Sequence, residues 1–225
     1  MKNILINVLL ILMFVVGLLL IFINPIQNYL IGRMSEKIVE APIVPPPPAD
    51  DIPLEYVASY DFEAVQSLTI WDILEAQANA KDIPAIGSIH IPEIDMTLPI
   101  LTGVGKYALA VGAGTMKKNQ QMGEGNYALA SHYVEGKDVL FGPLYDLEIG
   151  DTIYLSDAEY VYEYKTSVID IIEATDVYII DNVPDQKLLT LITCAEKGTR
   201  RLAVQAQFVN KIAQEDAEQL LEDIQ

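Results

Sequence analysis

The sequence predicts a mostly β domain, a barrel or a sandwich of short, mostly antiparallel strands, behind a long apolar segment at its N-terminus. Three observations predict this architecture. Apolar residues recur at every second position from residue 85 onward, Gly, Pro and Asp separate the apolar runs, and the first 23 residues are almost entirely apolar. The 225 residues suffice for one domain of ordinary size plus attachments.

The N-terminal segment is predicted to be a transmembrane anchor at residues 1–24. The run "ILINVLLILMFVVGLLLIFI" (4–23) is interrupted only by Asn7 and Gly17. About twenty apolar residues in a helix span roughly 30 Å, the thickness of a bilayer core. A cleaved signal peptide is the alternative, but it would have a shorter apolar region followed by small residues at the cleavage site. The following "NPIQNYLIGRM" offers no such site, which favours an uncleaved anchor.

A Pro-rich linker at 25–53 and a helical segment at 54–83 are predicted to follow the anchor. The linker contains four consecutive prolines in "EAPIVPPPPADDIP" (40–53), which favour a stiff, extended polyproline II spacer. In the helical segment, apolar residues recur at three- and four-residue steps, which indicates one or two short helices. The proline of "DIP" (82–84) ends this region, because the residue before a proline disfavours helix.

The β region is predicted to cover 84–210, followed by an acidic tail at 211–225 that is either a short helix or frayed. Alternating or short apolar runs that read as strands lie at 86–94, 126–132, 151–155, 160–172, 188–193 and 201–209. The net charge of −18 argues against binding nucleic acid, which requires a basic surface, and against adhesion to an anionic membrane surface.

The single cysteine, Cys194, ends the run "LLTLIT" and is either a buried core residue or a nucleophile. The alternation of the strand groups it with Thr190 and Ile192, opposite Leu189 and Leu191. If the leucines face the core, the thiol faces outward. A cysteine paired with a histidine is sufficient for acyl transfer.

Of the two histidines, His132 is the better partner for that thiol. It ends the run "NYALASH" and shares a strand face with Ala128 and Ala130, so small neighbours leave room for a ligand. The alternative is that His132 is merely a residue at a strand end. His90, in "SIHIP", is predicted to be a solvent-facing strand residue.

Arg201 opens the last strand and lies on the face opposite Leu202 and Val204, so it can share the outer side with Cys194. A guanidinium beside a thiol can stabilise a thiolate or a developing oxyanion. The alternative for the adjacent pair Arg200 and Arg201 is solvated surface charge at a turn.

These motifs together resemble the sortases, the cysteine transpeptidases of Gram-positive bacteria, and most closely their class A. The resemblance rests on "TLITC" (190–194), on "RLAVQ" (201–205) and on "ALASH" (128–132), which continues into "FGPLYDL" (141–147). It covers roughly residues 84–210 and extends to the order of anchor, linker and catalytic domain. It implies an eight-stranded sortase β-barrel with an N-terminal helix, preceded by a single transmembrane helix.

The resemblance also implies roles for the catalytic residues. Cys194 matches the nucleophile that attacks the Thr–Gly bond of an LPXTG-type sorting signal and forms a thioacyl-enzyme. His132 matches the general acid and base. Arg201 matches the arginine that binds the substrate backbone and the oxyanion, and it is preferred over Arg200 because it directly precedes "LAV" (202–204).

Three further residues are expected to serve substrate binding or the oxyanion. Thr193 matches the threonine before the cysteine of the family signature. The backbone N–H of Ala195 is a candidate second oxyanion donor. Ala130 would line the pocket for the Leu-Pro end of the signal.

The implied partners are LPXTG-bearing surface proteins and the amine of a lipid-linked peptidoglycan precursor. The basic residues around the apolar run leave its orientation ambiguous, but the resemblance implies a single-pass protein with an extracellular catalytic domain. A lone cysteine suits an exported nucleophile, because a second one would risk a disulfide. No cofactor is expected, and no calcium site, because "GTMKKNQQMGEG" (114–125) has two lysines and a single glutamate.

Three alternatives remain open. A cysteine peptidase acting on wall or surface peptides would use the same Cys–His pair with water in place of the amine. A pilin-type sortase is a second alternative, although the acidic tail argues against the second C-terminal membrane helix that some of these enzymes carry. A non-enzymatic, membrane-tethered β domain with a buried Cys194 is the third.

Overall fold

A closed barrel of eight strands forms the body of the protein. The structure, a computed structural model, describes residues 2–43, 84–134, 139–195 and 198–217. The strands are β1 Gly87–Ile91, β2 Met96–Leu101, β3 Ala113–Thr115, β4 Asn126–Ala130, β5 Thr152–Ser156, β6 Tyr160–Glu173, β7 Leu188–Ala195 and β8 Arg200–Ala213. They close in the order β1-β2-β3-β4-β7-β8-β6-β5. The prediction of a mostly β, eight-stranded barrel is therefore confirmed.

Most neighbouring strands pair antiparallel, as expected, but β2 with β3 and β4 with β7 pair parallel. The β4–β7 pair determines where the candidate catalytic residues lie. Two parallel strands end at the same edge of a sheet, so the residues that follow β4 and those that end β7 meet there.

The barrel is filled by one large apolar cluster. Leu189 and Leu191 of β7 and Ile89 of β1 are fully buried within it, so the leucines of β7 face the core. The two 14-residue strands β6 and β8 pair along almost their whole length. That pairing extends to Ala213, so the barrel includes 211–213, which were predicted to belong to the tail.

A second, smaller apolar cluster, here called the outer-face cluster, lies on the outside of β4, β7 and β8. It consists of Val104, Leu109, Met116, Ala128, Ala130, Ile192 and Ala203. Leu109 comes from the short helix α2, Lys106–Val111. This covering explains why every residue of β4 is buried, where an exposed outer face would have shown alternation.

The N-terminal helix α1 spans Lys2–Val39 and contains Pro25. It runs beyond the predicted anchor at 1–24, so the first part of the predicted linker is helical. Among the described residues, no helix combines the length and the apolarity that crossing a bilayer requires. The predicted transmembrane helix is therefore not confirmed.

The last turns of α1 dock on the barrel. Ile31, Met34 and Ile38 recur at three- and four-residue steps and are buried in the main core. The hydroxyl of Ser35 donates a hydrogen bond to the carbonyl of Val111 at the end of α2. These contacts stabilise residues 25–39 as a helix. The polar residues among them hide this apolar face in the sequence.

The remaining predictions about organisation fall on other parts of the chain. The predicted helical segment at 54–83 lies entirely outside the described residues, which resume at residue 84. The same holds for residues 44–53 of the linker and 218–225 of the tail.

Candidate active site

The pairing of β4 with β7 brings His132 and Cys194 to the same level of the barrel wall. The parallel ladder matches Asn126 with Leu188 and ends with Ala130 opposite Ile192. Extended by two residues, the same register places His132 opposite Cys194. The pairing does continue past β4, because the N–H of Ser131 donates to the carbonyl of Ile192 at 3.2 Å.

On the other side of β7, the antiparallel ladder with β8 places Cys194 directly opposite Arg201. His132, two residues after β4, therefore lies on one side of Cys194, and Arg201 of β8 lies on the other. The structure brings together the three residues that the sequence singled out as catalytic.

The thiol lies on the outer side of the barrel. Its neighbour on the same face, Ile192, belongs to the outer-face cluster, whereas Leu189 and Leu191 belong to the barrel core. Cys194 itself is partly exposed. A partly exposed thiol beside a histidine is open to reaction, which argues against the alternative of an inert core cysteine.

The two arginines at the start of β8 have different partners. Nη2 of Arg200 donates to the carbonyl of Ile171 at 2.7 Å, and its Nε lies 3.1 Å from Oε1 of Glu173. These contacts hold Arg200 against β6. Arg201 is held at the turn after β7, where its Nη1 donates to the carbonyl of Gly198 at 2.8 Å. The register and these contacts favour Arg201 as the neighbour of the thiol.

Thr193 does not face the same side as Cys194. It is fully buried, and its hydroxyl donates to the carbonyl of Ser131 at 2.9 Å. The hydroxyl of Ser131 in turn donates to the carbonyl of Gly112 at 2.7 Å. This placement differs from the expected contact with substrate, because the threonine hydroxyl is directed to the backbone next to His132.

The two alanines expected at the site are both buried. Ala130 belongs to the outer-face cluster and precedes His132 by two residues. Ala195 follows the thiol and pairs with Arg200. His132 is 7% exposed, and its carbonyl accepts a hydrogen bond from the N–H of Phe141 at 3.1 Å.

Two tyrosines were missed in the sequence, one at the backbone of Cys194 and one packed beside that first tyrosine. The hydroxyl of Tyr145 donates to the carbonyl of Cys194 at 3.2 Å. Its ring lies 4.9 Å from that of Tyr133, which directly follows His132. Tyr145 is carried by the short 3₁₀ helix Gly142–Asp146, within the "FGPLYDL" stretch. That stretch was informative as a motif, but nothing in its spacing indicated which residue reaches β7.

His90 takes no part in this arrangement. It lies on β1, which is not a neighbour of β4, β7 or β8, and its Nδ1 is 2.8 Å from Oγ1 of Thr97.

One side of the outer-face cluster is bounded by residues 177–182, here called the wall segment. It begins with the 3₁₀ helix Val177–Ile180. Ile179 and Ile180 pack on the outer-face cluster, while Tyr178 is largely exposed. Since Ala130, Ile192 and Ala203 of the cluster lie two residues from the catalytic candidates, the wall segment flanks an apolar floor that leads to the thiol.

Lys117, from the loop before β4, connects to the wall segment. Its Nζ donates to the carbonyl of Ile180 at 2.8 Å and to Oδ1 of Asn182 at 2.8 Å. Burial lowers the pKa of the Lys117 ammonium, and the nearby Asp181 carboxylate acts in the opposite direction.

Comparison with known proteins identifies the family of the chain. A family model for the sortase domain matches residues 89–209. Sortase A of Streptococcus agalactiae serotype III is 38% identical over 215 residues, covering 89% of this chain and 83% of that protein. Sortase A of Listeria monocytogenes serovar 1/2a is 38% identical over 188 residues, covering 82% of each. The solved structure of Listeria monocytogenes sortase A, at 37% identity, has a TM-score of 0.55 and covers 57% of this chain and 90% of that one.

Proposed function

The chain belongs to the sortase family, and we propose that it acts through Cys194, His132 and Arg201. Sortases are cysteine transpeptidases, and the similarity to sortase A proteins makes this chain a class A enzyme that joins LPXTG-type surface proteins to the cell wall. One observation carries the proposal for the residues. The β7–β8 register pairs Cys194 with Arg201, and the β4–β7 register, extended two residues past Ala130, sets His132 beside Cys194 on the other side.

In the first half-reaction, the thiolate of Cys194 attacks the carbonyl carbon of the threonine in the sorting signal. The resulting tetrahedral intermediate collapses when the Thr–Gly C–N bond breaks, and His132 donates a proton to the leaving amine. The products are a thioacyl-enzyme and the released glycine-bearing fragment.

In the second half-reaction, the amine of the lipid-linked peptidoglycan precursor attacks the thioester carbonyl. His132 takes a proton from that amine as the new amide forms, and the thiolate leaves as Cys194 is restored. The same histidine thus serves as acid and then as base.

Arg201 is proposed to stabilise the oxyanion of both tetrahedral intermediates and to bind the substrate backbone. A guanidinium is permanently charged and presents several donors in a fixed plane, which suits both tasks. The backbone N–H of Ala195 is proposed as the second donor to the oxyanion. Ala130 and the rest of the outer-face cluster are proposed to receive the Leu-Pro end of the signal.

We propose for Thr193 a positioning role in place of the expected contact with substrate. Its hydroxyl is bonded to the carbonyl of Ser131, the residue before His132. This bond therefore fixes the position of His132 along the strand direction relative to Cys194, the residue after Thr193.

Residues 1–24 are proposed to anchor the enzyme in the cell membrane by a single pass, with the catalytic barrel outside the cell. The apolar run at 4–23 supports this proposal, as do exposed apolar side chains along the first half of α1, among them Leu10 and Phe14. An extracellular barrel would meet its surface-protein substrates and the lipid-linked amine on the same side of the membrane. The absence of a calcium requirement stays a prediction.

The proposed function is tested on the full-length chain in detergent micelles. A quenched LPXTG peptide is incubated with and without triglycine, and the Cys194→Ala variant serves as the control. We expect cleavage and an amine-dependent ligated peptide, both lost in the variant. Cleavage that is indifferent to triglycine would favour the cysteine peptidase. No turnover, together with a thiol that resists iodoacetamide, would indicate a buried, unreactive Cys194 and refute the mechanism.

A further inference from the structure

We propose that three polar residues outside the wall segment, together with Asn182 within it, form a clamp that holds this segment in place and thereby sets the affinity for the sorting signal. The polar clamp consists of Lys117, Asn126, Asn182 and Gln205. It bonds three consecutive backbone carbonyls of the wall segment, those of residues 179, 180 and 181. The inference rests on the proposed function, because it assumes that the peptide binds beside this wall.

Asn126, the first residue of β4, is the centre of the clamp. It is 1% exposed, and its Nδ2 donates to the carbonyls of Ile179 at 3.0 Å and Asp181 at 3.1 Å. Its Oδ1 accepts a hydrogen bond from the hydroxyl of Thr190 on β7 at 2.7 Å. Its backbone N–H donates to Oδ1 of Asn182 at 3.0 Å. The backbone N–H and Nδ2 of this buried residue bond the wall segment, and its Oδ1 bonds β7, so Asn126 joins the wall segment to the barrel.

Lys117 and Gln205 hold the wall segment from two other directions. Lys117 donates to the carbonyl of Ile180 and to Asn182 from the loop before β4. Gln205, on β8, donates from Nε2 to the carbonyl of Ile179 at 3.2 Å and to Oγ1 of Thr190 at 3.2 Å. The clamp thus ties the wall segment to β4, β7 and β8.

The backbone beside the clamp has little room for another residue type. Gly125 has a φ of +53°, and a Cβ there would lie 2.8 Å from Oδ1 of Asn182. A side chain at 125 would therefore push away the amide that receives both Lys117 and the N–H of Asn126. The glycine allows the loop before β4 to approach the wall segment closely.

The clamp specifies the position of two apolar side chains. The 3₁₀ helix Val177–Ile180 is a single short turn, which is weak on its own. With the carbonyls of the wall segment fixed, Ile179 and Ile180 stay packed on the outer-face cluster, which includes Ala130. Buried polar networks that are fully bonded specify one conformation of the segments they join. A preformed wall would spare the peptide the cost of ordering this segment when it binds.

The first test replaces Lys117, which is only partly buried, by methionine in the full-length enzyme. We expect KM for the LPXTG peptide to rise about fivefold, the effect of one net hydrogen bond, with kcat changed by less than about twofold. Lys165→Met is the matched control, since Lys165 also donates to one carbonyl and one side-chain oxygen, those of Gly150 and Thr152. The control should leave KM at the wild-type value.

A second variant, Asn126→Asp, tests the centre of the clamp. The substitution preserves shape and the bond from Thr190, but it replaces the donor Nδ2 with an oxygen that faces the carbonyls of 179 and 181. We expect a KM increase of about tenfold or more. Should this variant fail to fold, as judged by thermal unfolding, Lys117→Met alone decides the matter.

The rate of Cys194 alkylation by iodoacetamide separates positioning of the wall from damage to the site. We expect this rate to be unchanged in Lys117→Met. An unchanged KM in Lys117→Met, or an equal rise in Lys165→Met, would overturn the clamp while leaving the proposed function intact. A wild-type enzyme that does not process the LPXTG peptide would overturn both.

Discussion

Replacing Thr193 by valine is expected to impair both stability and catalysis. The two side chains have nearly the same shape, so the substitution removes only the hydroxyl. That hydroxyl donates to the carbonyl of Ser131 and is completely buried. In Thr193→Val the carbonyl of Ser131 loses this donor next to His132, at a point where no solvent reaches the threonine side chain.

The size of the effect follows from the cost of leaving a buried acceptor without its donor. That cost is about 1–3 kcal/mol of unfolding free energy. For a domain of this size, each kcal/mol corresponds to a shift in Tm of roughly 2–5 °C. A shift in the backbone at Ser131 would also displace the imidazole, and misplacing a catalytic group by about 1 Å costs on the order of a hundredfold in rate. We therefore expect kcat to fall by about ten- to a hundredfold.

The chain provides a matched control in Thr166, on β6. Thr166 is 2% exposed, and its hydroxyl has no hydrogen-bond partner among the described residues. Thr166→Val should therefore be neutral or slightly stabilising, because it removes a buried polar group that is not bonded. Thermal unfolding by circular dichroism and peptide kinetics are measured on both variants. Equal Tm values for the two variants, with wild-type kcat in Thr193→Val, would refute the positioning role of Thr193.

Three further predictions concern other parts of the molecule. Arg201→Lys should lower kcat/KM for the LPXTG peptide by about a hundredfold or more. Arg200→Lys should lower it by less than about tenfold, because Arg200 contacts β6. The opposite ranking would exchange the roles of the two arginines. Burial raises the pKa of Tyr164 to about 12. Its contribution to stability is therefore full below the unfolded pKa of about 10 and is lost as the pH rises to about 12. In Tyr164→Phe the unfolding free energy, measured in urea, should fall less steeply between these pH values, and an unchanged slope would contradict this assignment. Met34→Asp places a carboxylate in the contact between α1 and the barrel. Limited proteolysis should therefore cut residues 34–43 faster than in the wild type. An unchanged rate would mean that this contact does not form.

The outward orientation of Cys194 and Arg201 could be predicted because alternation shows which side of each strand faces the core, whereas their proposed catalytic roles come from the resemblance to the sortases. Leu189 and Leu191 identify the inner face of β7, so Cys194 had to face outward, and the barrel core confirms that orientation of the leucines. The same argument placed Arg201 opposite Leu202. Alternation in a sequence indicates which residues of a strand face the core, and the remaining residues then face outward.

Other features depend on contacts between distant segments, which no local pattern records. The last turns of α1 contain polar residues such as Ser35, and only their packing on the barrel shows why the helix continues to Val39. Tyr145 reaches the carbonyl of Cys194 from 49 positions away. Asn126 looked like the start of a strand, and its bonds to the wall segment could not be inferred from its neighbours in the chain.

The parallel pairing of β4 and β7 is the feature on which the active site depends most, and two side-chain hydrogen bonds fix its register. Thr190 donates to Asn126 near one end of the pair, and Thr193 donates to Ser131 at the other. A slip of one residue would turn every side chain of a strand to the opposite face. It would exchange the outer face of β7 with the core face and move Cys194 away from His132. The two threonines of "TLITC" therefore have a common physical role, since each holds one end of the register that sets Cys194, the proposed nucleophile, beside His132, its proposed acid and base.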